Sequence, residues 1–160
     1  MNRPVDHKRP RRIVISAVVD RALADAARQG LPLEVCGLLL GPAALVDGIA
    51  RIDELAPSPN LAAQEGADRF EIDPALHLRM RREMRGTGRT VLGLYHSHPN
   101  GSADASRADH MGGRLEPGLI WLIVPVLSGK AHHPAAYFST AKGLVPLPLD
   151  CETQEGEAQQ

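Results

Sequence analysis

The chain has 160 residues, the size of one domain with short tails and too short for an eight-stranded β/α barrel of about 250 residues. Hydrophobic residues make up 43% and charged residues 23%, but Phe, Tyr and Trp number only two, two and one, so the core must be built from Leu, Val, Ile and Ala. A formal net charge of −1 excludes a global field that would draw the chain onto nucleic acid or an anionic membrane, and two cysteines exclude a disulfide framework, which points to a reducing, cytoplasmic setting.

Residues 1–11 read as a flexible basic arm, 12–149 as the domain and 150–160 as a flexible acidic tail. The apolar run from Ile13 to Val19 follows Arg3, Lys8, Arg9, Arg11 and Arg12 in the manner of a signal peptide. It ends at Asp20-Arg21 without a small-residue cleavage site, so that reading is rejected. No apolar stretch approaches the roughly 20 residues of a spanning helix.

The domain opens with a strand over Arg12 to Ile15. Ser16 is placed to cap a helix with Val19, Leu23 and Ala26-Ala27 on its apolar face, stopped at Gly30. Val35 to Leu40 is a continuous apolar run bounded by Gly41-Pro42, the pattern of a buried strand. Strands near Gly48 to Leu55 and Arg69 to Ile72 are expected to flank a loop around Ala56 to Asp68. Asp73-Pro74 punctuates the start of a second helix with an inner stripe of Leu76, Met80 and Met84 and a stop at Gly86. Its arginines (Arg79, Arg81, Arg82, Arg85) read as a solvated face, with a docking surface for an acidic partner as the functional alternative. Further strands are expected at Thr90 to Tyr95, Leu119 to Val126, Ala135 to Thr140 and Leu144 to Leu149, the last confined to an edge by Pro146 and Pro148. Seven or eight strands with two or three helices make a mixed α/β or α+β sheet domain.

The stretch from Tyr95 to Asp109 carries the chemistry. His96 and His98 end a strand two residues apart, so both imidazoles lie on one face with Cα atoms about 6–7 Å apart. Pro99 ends the ladder and leaves them at a rim. A loop from Asn100 to Asp104 leads into a helical start on which Ser106 and Asp109 share a face. Two imidazoles and one carboxylate are three protein ligands, the set that leaves a fourth zinc position for water. Glu34, at the head of the buried run, is the candidate base, since a carboxylate there is costly unless partnered or functional. The sequence leaves open whether Glu34 faces His96.

Glu34, then His96-Ser97-His98-Pro99, six residues, Ser106, two residues and Asp109 resemble the JAMM motif of the MPN-domain (Mov34/JAB1/PAD-1-like) zinc metalloproteases, with no position departing. The resemblance runs from about Arg12 to Leu149 and is strongest to the compact, stand-alone bacterial members. It implies a JAB1/MPN-like mixed sheet flanked by helices, of cytidine-deaminase-like architecture. It implies one zinc held by His96, His98 and Asp109, with water as the fourth ligand. Glu34 is then the base and proton carrier, and the Ser106 hydroxyl an oxyanion partner. The implied substrate is a peptide or isopeptide bond after the Gly-Gly tail of a ubiquitin-like or sulfur-carrier protein. Met111 to Gly118 is short and has neither Cys nor His, so no second zinc is expected there.

Simpler readings stand beside these. His96 and His98 could be backbone-bonded strand-end histidines, and Ser106 with Asp109 a helix-start pair. Ser97 points away from both histidines, which removes it as a nucleophile. Cys36 shares a face with Glu34 but reads first as a small buried hydrophobe. His110 reads as a surface histidine rather than a ligand, and His7, His77, His132 and His133 are left unassigned. A non-catalytic MPN scaffold and a general zinc amidohydrolase are the alternative functions. A deaminase lacks its Pro-Cys-x-x-Cys segment here.

Overall fold

The computed structural model describes residues 9–153, so residues 1–8 of the basic arm expected over 1–11 and residues 154–160 of the acidic tail expected over 150–160 lie outside the described residues. Among these, ten strands and three α-helices build a small parallel sheet packed beside a larger mixed one. This is the mixed α/β domain expected.

The small sheet has the order β10-β1-β3, with β1 (Arg12–Ile15) parallel to both β3 (Ile49–Ile52) and β10 (Leu149–Cys151). Pairing therefore runs through Cys151, past the expected boundary at 149. The reason is that β1 would otherwise present an unpaired edge, which β10 covers. Ion pairs Arg12–Asp150 and Arg51–Glu152 hold the same end.

The larger sheet has the order β4-β2-β5-β6-β8-β9, with β7 (Lys130–Ala131) appended to β6. Its strands are β2 (Cys36–Pro42), β4 (Glu54–Ser58), β5 (Arg89–His98), β6 (Ile120–Leu127), β8 (Ala135–Thr140) and β9 (Gly143–Leu147). Prolines 146 and 148 sit where an edge tolerates them. All neighbours are antiparallel except β5 and β6. A parallel pair needs a crossover, supplied by α3 (Arg107–Leu115). Gly93 is required at this pairing: a Cβ there would stand 1.8 Å from the Ile120 carbonyl oxygen.

One face of the larger sheet carries the main core, where Ile13, Ile15, Leu39, Ile52, Tyr95, Leu122 and Val124 meet Val19, Leu23 and Ala27 of α1 (Ala17–Gln29). Ser16 caps that helix by accepting from the Val19 N–H. The other face carries α2 (Pro74–Met84), seated on Leu38, Leu40 and Val91 through Leu76, Met80 and Met84, and α3 beside Trp121, Ile123 and Leu144. A bulge at Leu92 sets two residues of β5 against one of β2 and reverses the alternation, so Val91 joins the face that carries Leu94, His96 and His98.

Three element expectations are corrected. The strand expected over Leu144 to Leu149 is divided at Pro148, which has no N–H for a ladder, into β9 of the larger sheet and β10 of the small one. The strand expected over Gly48 to Leu55 is divided into β3 and β4. Arg69 to Ile72 is not a strand: it makes only one bridge, Asn60 to Ile72. Two more of its backbone groups are taken by the Asn60 side chain, which donates to the Arg69 carbonyl and accepts from the Glu71 N–H. A side-chain amide thus occupies groups that a ladder would need. No helix of the described residues is long and apolar enough to cross a membrane.

Candidate metal centre

The site lies at the carboxyl end of β5, where the parallel pairing with β6 gives way to the crossover helix. This is where open mixed sheets expose side chains to a ligand. His96 and His98 project to the same side, as their spacing requires, and both are buried. Their Nε2 atoms face each other at 3.0 Å. Asp109, on the first turn of α3, closes the triangle with Oδ1 3.1 Å from His96 Nε2 and Oδ2 3.1 Å from His98 Nε2.

Glu34 precedes β2 and is also buried, at 7% exposure. Cys36 pairs with His96 in antiparallel register, and continuing that register sets Glu34 across from His98. The carboxylate of Glu34 and the two imidazoles all lie within 4.8 Å of one another. The backbone there is pinned twice. Val35 N–H donates to Ser97 Oγ at 2.9 Å, and Asn60 Nδ2 donates to the Glu34 carbonyl at 3.0 Å. Ser97 does point away from the histidines, as expected, and holds the strand that presents Glu34.

Ser106 is the N-cap of α3. Its Oγ accepts from Asp109 N–H at 3.0 Å while its own N–H donates to Asp109 Oδ2 at 2.9 Å. The capping box fixes the Asp109 rotamer with its second oxygen edge toward the histidines. Tyr137 OH donates to the Ala103 carbonyl at 2.9 Å and anchors the loop between β5 and α3. His98 Nδ1 meets the Ser102 carbonyl at 2.9 Å, which leaves Nε2 as the unprotonated nitrogen of the neutral ring.

The electrostatics follow from burial. Loss of water drives the Glu34 carboxyl up to about 7, helped by the Asp109 charge and opposed by His98. Burial works against ionisation of Asp109, but contacts from His96 and His98 outweigh it and hold the carboxyl well below the carboxylate range. Burial lowers His96, so its ring stays neutral despite Asp109. At His98 the Asp109 hydrogen bond and charge outweigh burial and raise it.

Two imidazole nitrogens and a carboxylate converging on one point fit zinc. Ligands at about 2.0–2.1 Å on a tetrahedral ion stand about 3.3 Å apart, close to the separations here. Among the described residues the one group of at least three possible ligand side chains found within 4.8 Å of one another is Glu34, His96 and His98, and Asp109 reaches both imidazoles of that group. Alongside runs a groove of about 570 Å³, lined by Phe70, Ala108, Asp109, Gly112 and Trp121 among others. Phe70 stacks on the His96 ring with centroids 4.1 Å apart.

The remaining candidates fall outside the cluster. His110 Nδ1 accepts from the Leu144 N–H, a structural duty. His77 accepts from Arg81 Nε, and His133 lies 3.8 Å from the Cys151 sulfur. Asn60 and Phe70 stood outside the motif spacing, and Ser97 stood inside it without a role assigned. For Ser97 the signal was the parity that turns it away from the two histidines, toward Val35. For Asn60 and Phe70 the sequence carried no signal, because their contacts come from chain distant in sequence.

Residues 16–139 match the model of a family described as prokaryotic homologs of the JAB domain. The chain is 29% identical over 116 residues to the desampylase of Haloferax volcanii, covering 70% of this chain and 79% of that one. It is 28% identical over 125 residues to the CysO-cysteine peptidase of Mycobacterium tuberculosis, covering 78% and 81%. A Dictyostelium discoideum protein, 26S proteasome non-ATPase regulatory subunit 14, is 36% identical over 90 residues, which is 54% of this chain but 28% of that subunit. Among solved structures, a Desulfitobacterium hafniense protein superposes with a TM-score of 0.72 at 27% identity, covering 89% of this chain and 94% of that one. A JAB1/MPN domain protein of Archaeoglobus fulgidus gives 0.56 at 23% identity, covering 86% and 97%, and shares the fold.

Proposed function

The chain belongs to the prokaryotic JAB family, and from that membership we propose that it is a zinc-dependent metallo-(iso)peptidase. Its substrate is a peptide or isopeptide bond after the C-terminal Gly-Gly of a ubiquitin-like or sulfur-carrier protein. The observation that carries the reading is the convergence of His96, His98 and Asp109, with the Glu34 carboxylate within 4.8 Å of both imidazoles at the side of a groove. The names of the desampylase and of the CysO-cysteine peptidase support the same class.

His96, His98 and Asp109 are the residues that would hold zinc, one ion per chain. When bound, zinc supplies a Lewis acid that makes water a competent nucleophile near neutral pH. Glu34 is the proton carrier. Its buried carboxyl titrates near the operating pH, so it can take a proton from the attacking water and return it to the leaving amine. Ser106 Oγ accepts from Asp109 N–H, so its hydroxyl proton is available to the oxygen that gains charge in the tetrahedral intermediate. Ala108 and Gly112, one helical turn apart, are small side chains in the groove lining, which suits an extended tail ending in glycines. The reading includes a cytoplasmic setting, supported by two unpaired cysteines.

The test incubates zinc-loaded protein with ubiquitin-like sulfur carriers bearing C-terminal extensions and reads the products by mass spectrometry. Cleavage after Gly-Gly, absent in Glu34→Gln, is the expected result. Activity on unfolded peptides alone makes the protein a general peptidase, and no hydrolysis of either class leaves a binding scaffold.

A further inference from the structure

The two histidines at the centre are held differently. A histidine that ligates through Nε2 is ordinarily oriented by a hydrogen bond from its other nitrogen, and removing such support costs about 10–100-fold in metal affinity. His98 has that support in the Ser102 carbonyl. His96 does not: Nδ1 is buried and has no hydrogen-bond partner among the described residues, although the side chain is fully inaccessible. The polar contacts of this ring are therefore confined to Nε2, toward Asp109 and His98, and none supports it from the Nδ1 side.

Aromatic packing takes that place. Phe70 lies flat on His96, with centroids 4.1 Å apart and planes 18° from parallel. Trp121 closes a second side edge-on at 5.8 Å and 88°, and braces Phe70 edge-on at 6.0 Å. Phe70 is itself gripped at both neighbours, since the Asn60 amide bonds the Arg69 carbonyl and the Glu71 N–H that flank it. The same amide group donates to the Glu34 carbonyl. One asparagine thus ties the ring that orients His96 to the backbone that presents Glu34.

We propose that Phe70 is the positioning residue for His96, its stacked ring doing the work that a hydrogen bond does at His98, with Asn60 holding Phe70 in place. The proposal rests on the zinc reading of the centre. Only a ring sets the imidazole plane this way; an aliphatic side chain of similar bulk fills the space without imposing an orientation. Phe70 also walls the groove beside the site, so the residue that faces substrate is the one that sets a ligand's angle.

The experiment compares wild type, Phe70→Leu, Phe70→Tyr and Asn60→Ala as full chains. Zinc affinity is read by competition with a chromophoric chelator, and ligand geometry by the visible bands of the cobalt-substituted protein. Phe70→Leu is expected to weaken zinc binding about 10-fold and to alter the cobalt bands. Phe70→Tyr should restore both, and Asn60→Ala should shift both in the same direction as Leu. Wild-type affinity and unchanged bands in Phe70→Leu overturn the proposal. If Leu compromises folding of the metal-free protein, Phe70→Met carries the same comparison. Histidine-ring NMR of the metal-free chain decides independently of zinc. A single His96 ring conformer in wild type with averaged conformers in Phe70→Leu supports the proposal, and one conformer in both overturns it. Absence of zinc binding by wild type sinks the metallopeptidase reading alone.

Discussion

The two ends of β5 carry cavities of similar size and opposite character. At the amino end, a cavity of about 460 Å³ is bordered by Arg9, Arg11, Leu45, Thr90, Leu92 and Phe138, with no carboxylate and no imidazole. At the carboxyl end the groove is comparable, about 570 Å³, but beside it four ionisable groups are buried together. Volume does not separate the two ends; what does is the cost of burying charge, accepted at one end and avoided at the other. The few charges near the amino end pair off at the surface, as Arg89 does with Asp53 and Glu54. Those at the carboxyl end share one point in space and perturb one another.

Substitutions can break this contrast in graded steps. The largest effect is expected from His98→Ala, which removes a ligand: zinc measured by elemental analysis should fall from one per chain to background, and turnover with it. Glu34→Gln should keep the zinc and lose about 10²–10⁴-fold in kcat, so that metal content and rate separate. Ser106→Ala should cost up to about 10²–10³-fold in kcat as a lost oxyanion donor, together with about 1 kcal/mol of helix-cap stability in thermal unfolding.

The Glu34 titration gives a subtler separation. Its carboxyl titrates at about 7 in the fold against an ordinary 4.5, so the folded state binds the proton that the unfolded chain has released. The stability contributed by the protonated group is complete below about 4.5 and is lost as pH rises through about 7. In metal-free protein, the Tm of Glu34→Gln relative to wild type should therefore climb between those values and then level off. A flat difference shows the carboxyl to be unperturbed. The smallest functional effect belongs to the amino end: Leu45→Ala should cost about 1–2 kcal/mol, because the side chain is half-buried, while kcat stays at the wild-type value.

Much of this site is legible in the sequence. Period-two spacing put His96 and His98 on one face, and the Asp73-Pro74 and Ser16 caps stand where their chemistry placed them. What the residues alone left open was whether Glu34 reaches the histidines, since that depends on the register of β2 on β5, which no local pattern encodes. The bulge at Leu92 was equally hidden, because strict alternation through β5 assigns Val91 to the wrong face. Arg69 to Ile72 misled for a different reason. Its composition suits a strand, but Asn60, nine residues before Arg69, takes the backbone groups first. Ser106 is the helix-start residue of the simpler reading, and the bonds by which it caps α3 also turn Asp109 toward the histidines.

Cys36 sits directly across β2 from His96, buried, with its thiol pushed up to about 12 chiefly by burial and then by the Glu34 charge. The half-buried Cys151 is likewise raised, to about 11. A thiolate is the species that alkylating agents and peroxides attack, and at neutral pH neither sulfur supplies it in quantity. Thiol-directed reagents that silence cysteine peptidases would pass this chain by, so under the proposed metallopeptidase reading chelation is the chemical handle that tells the two classes of enzyme apart in a mixture.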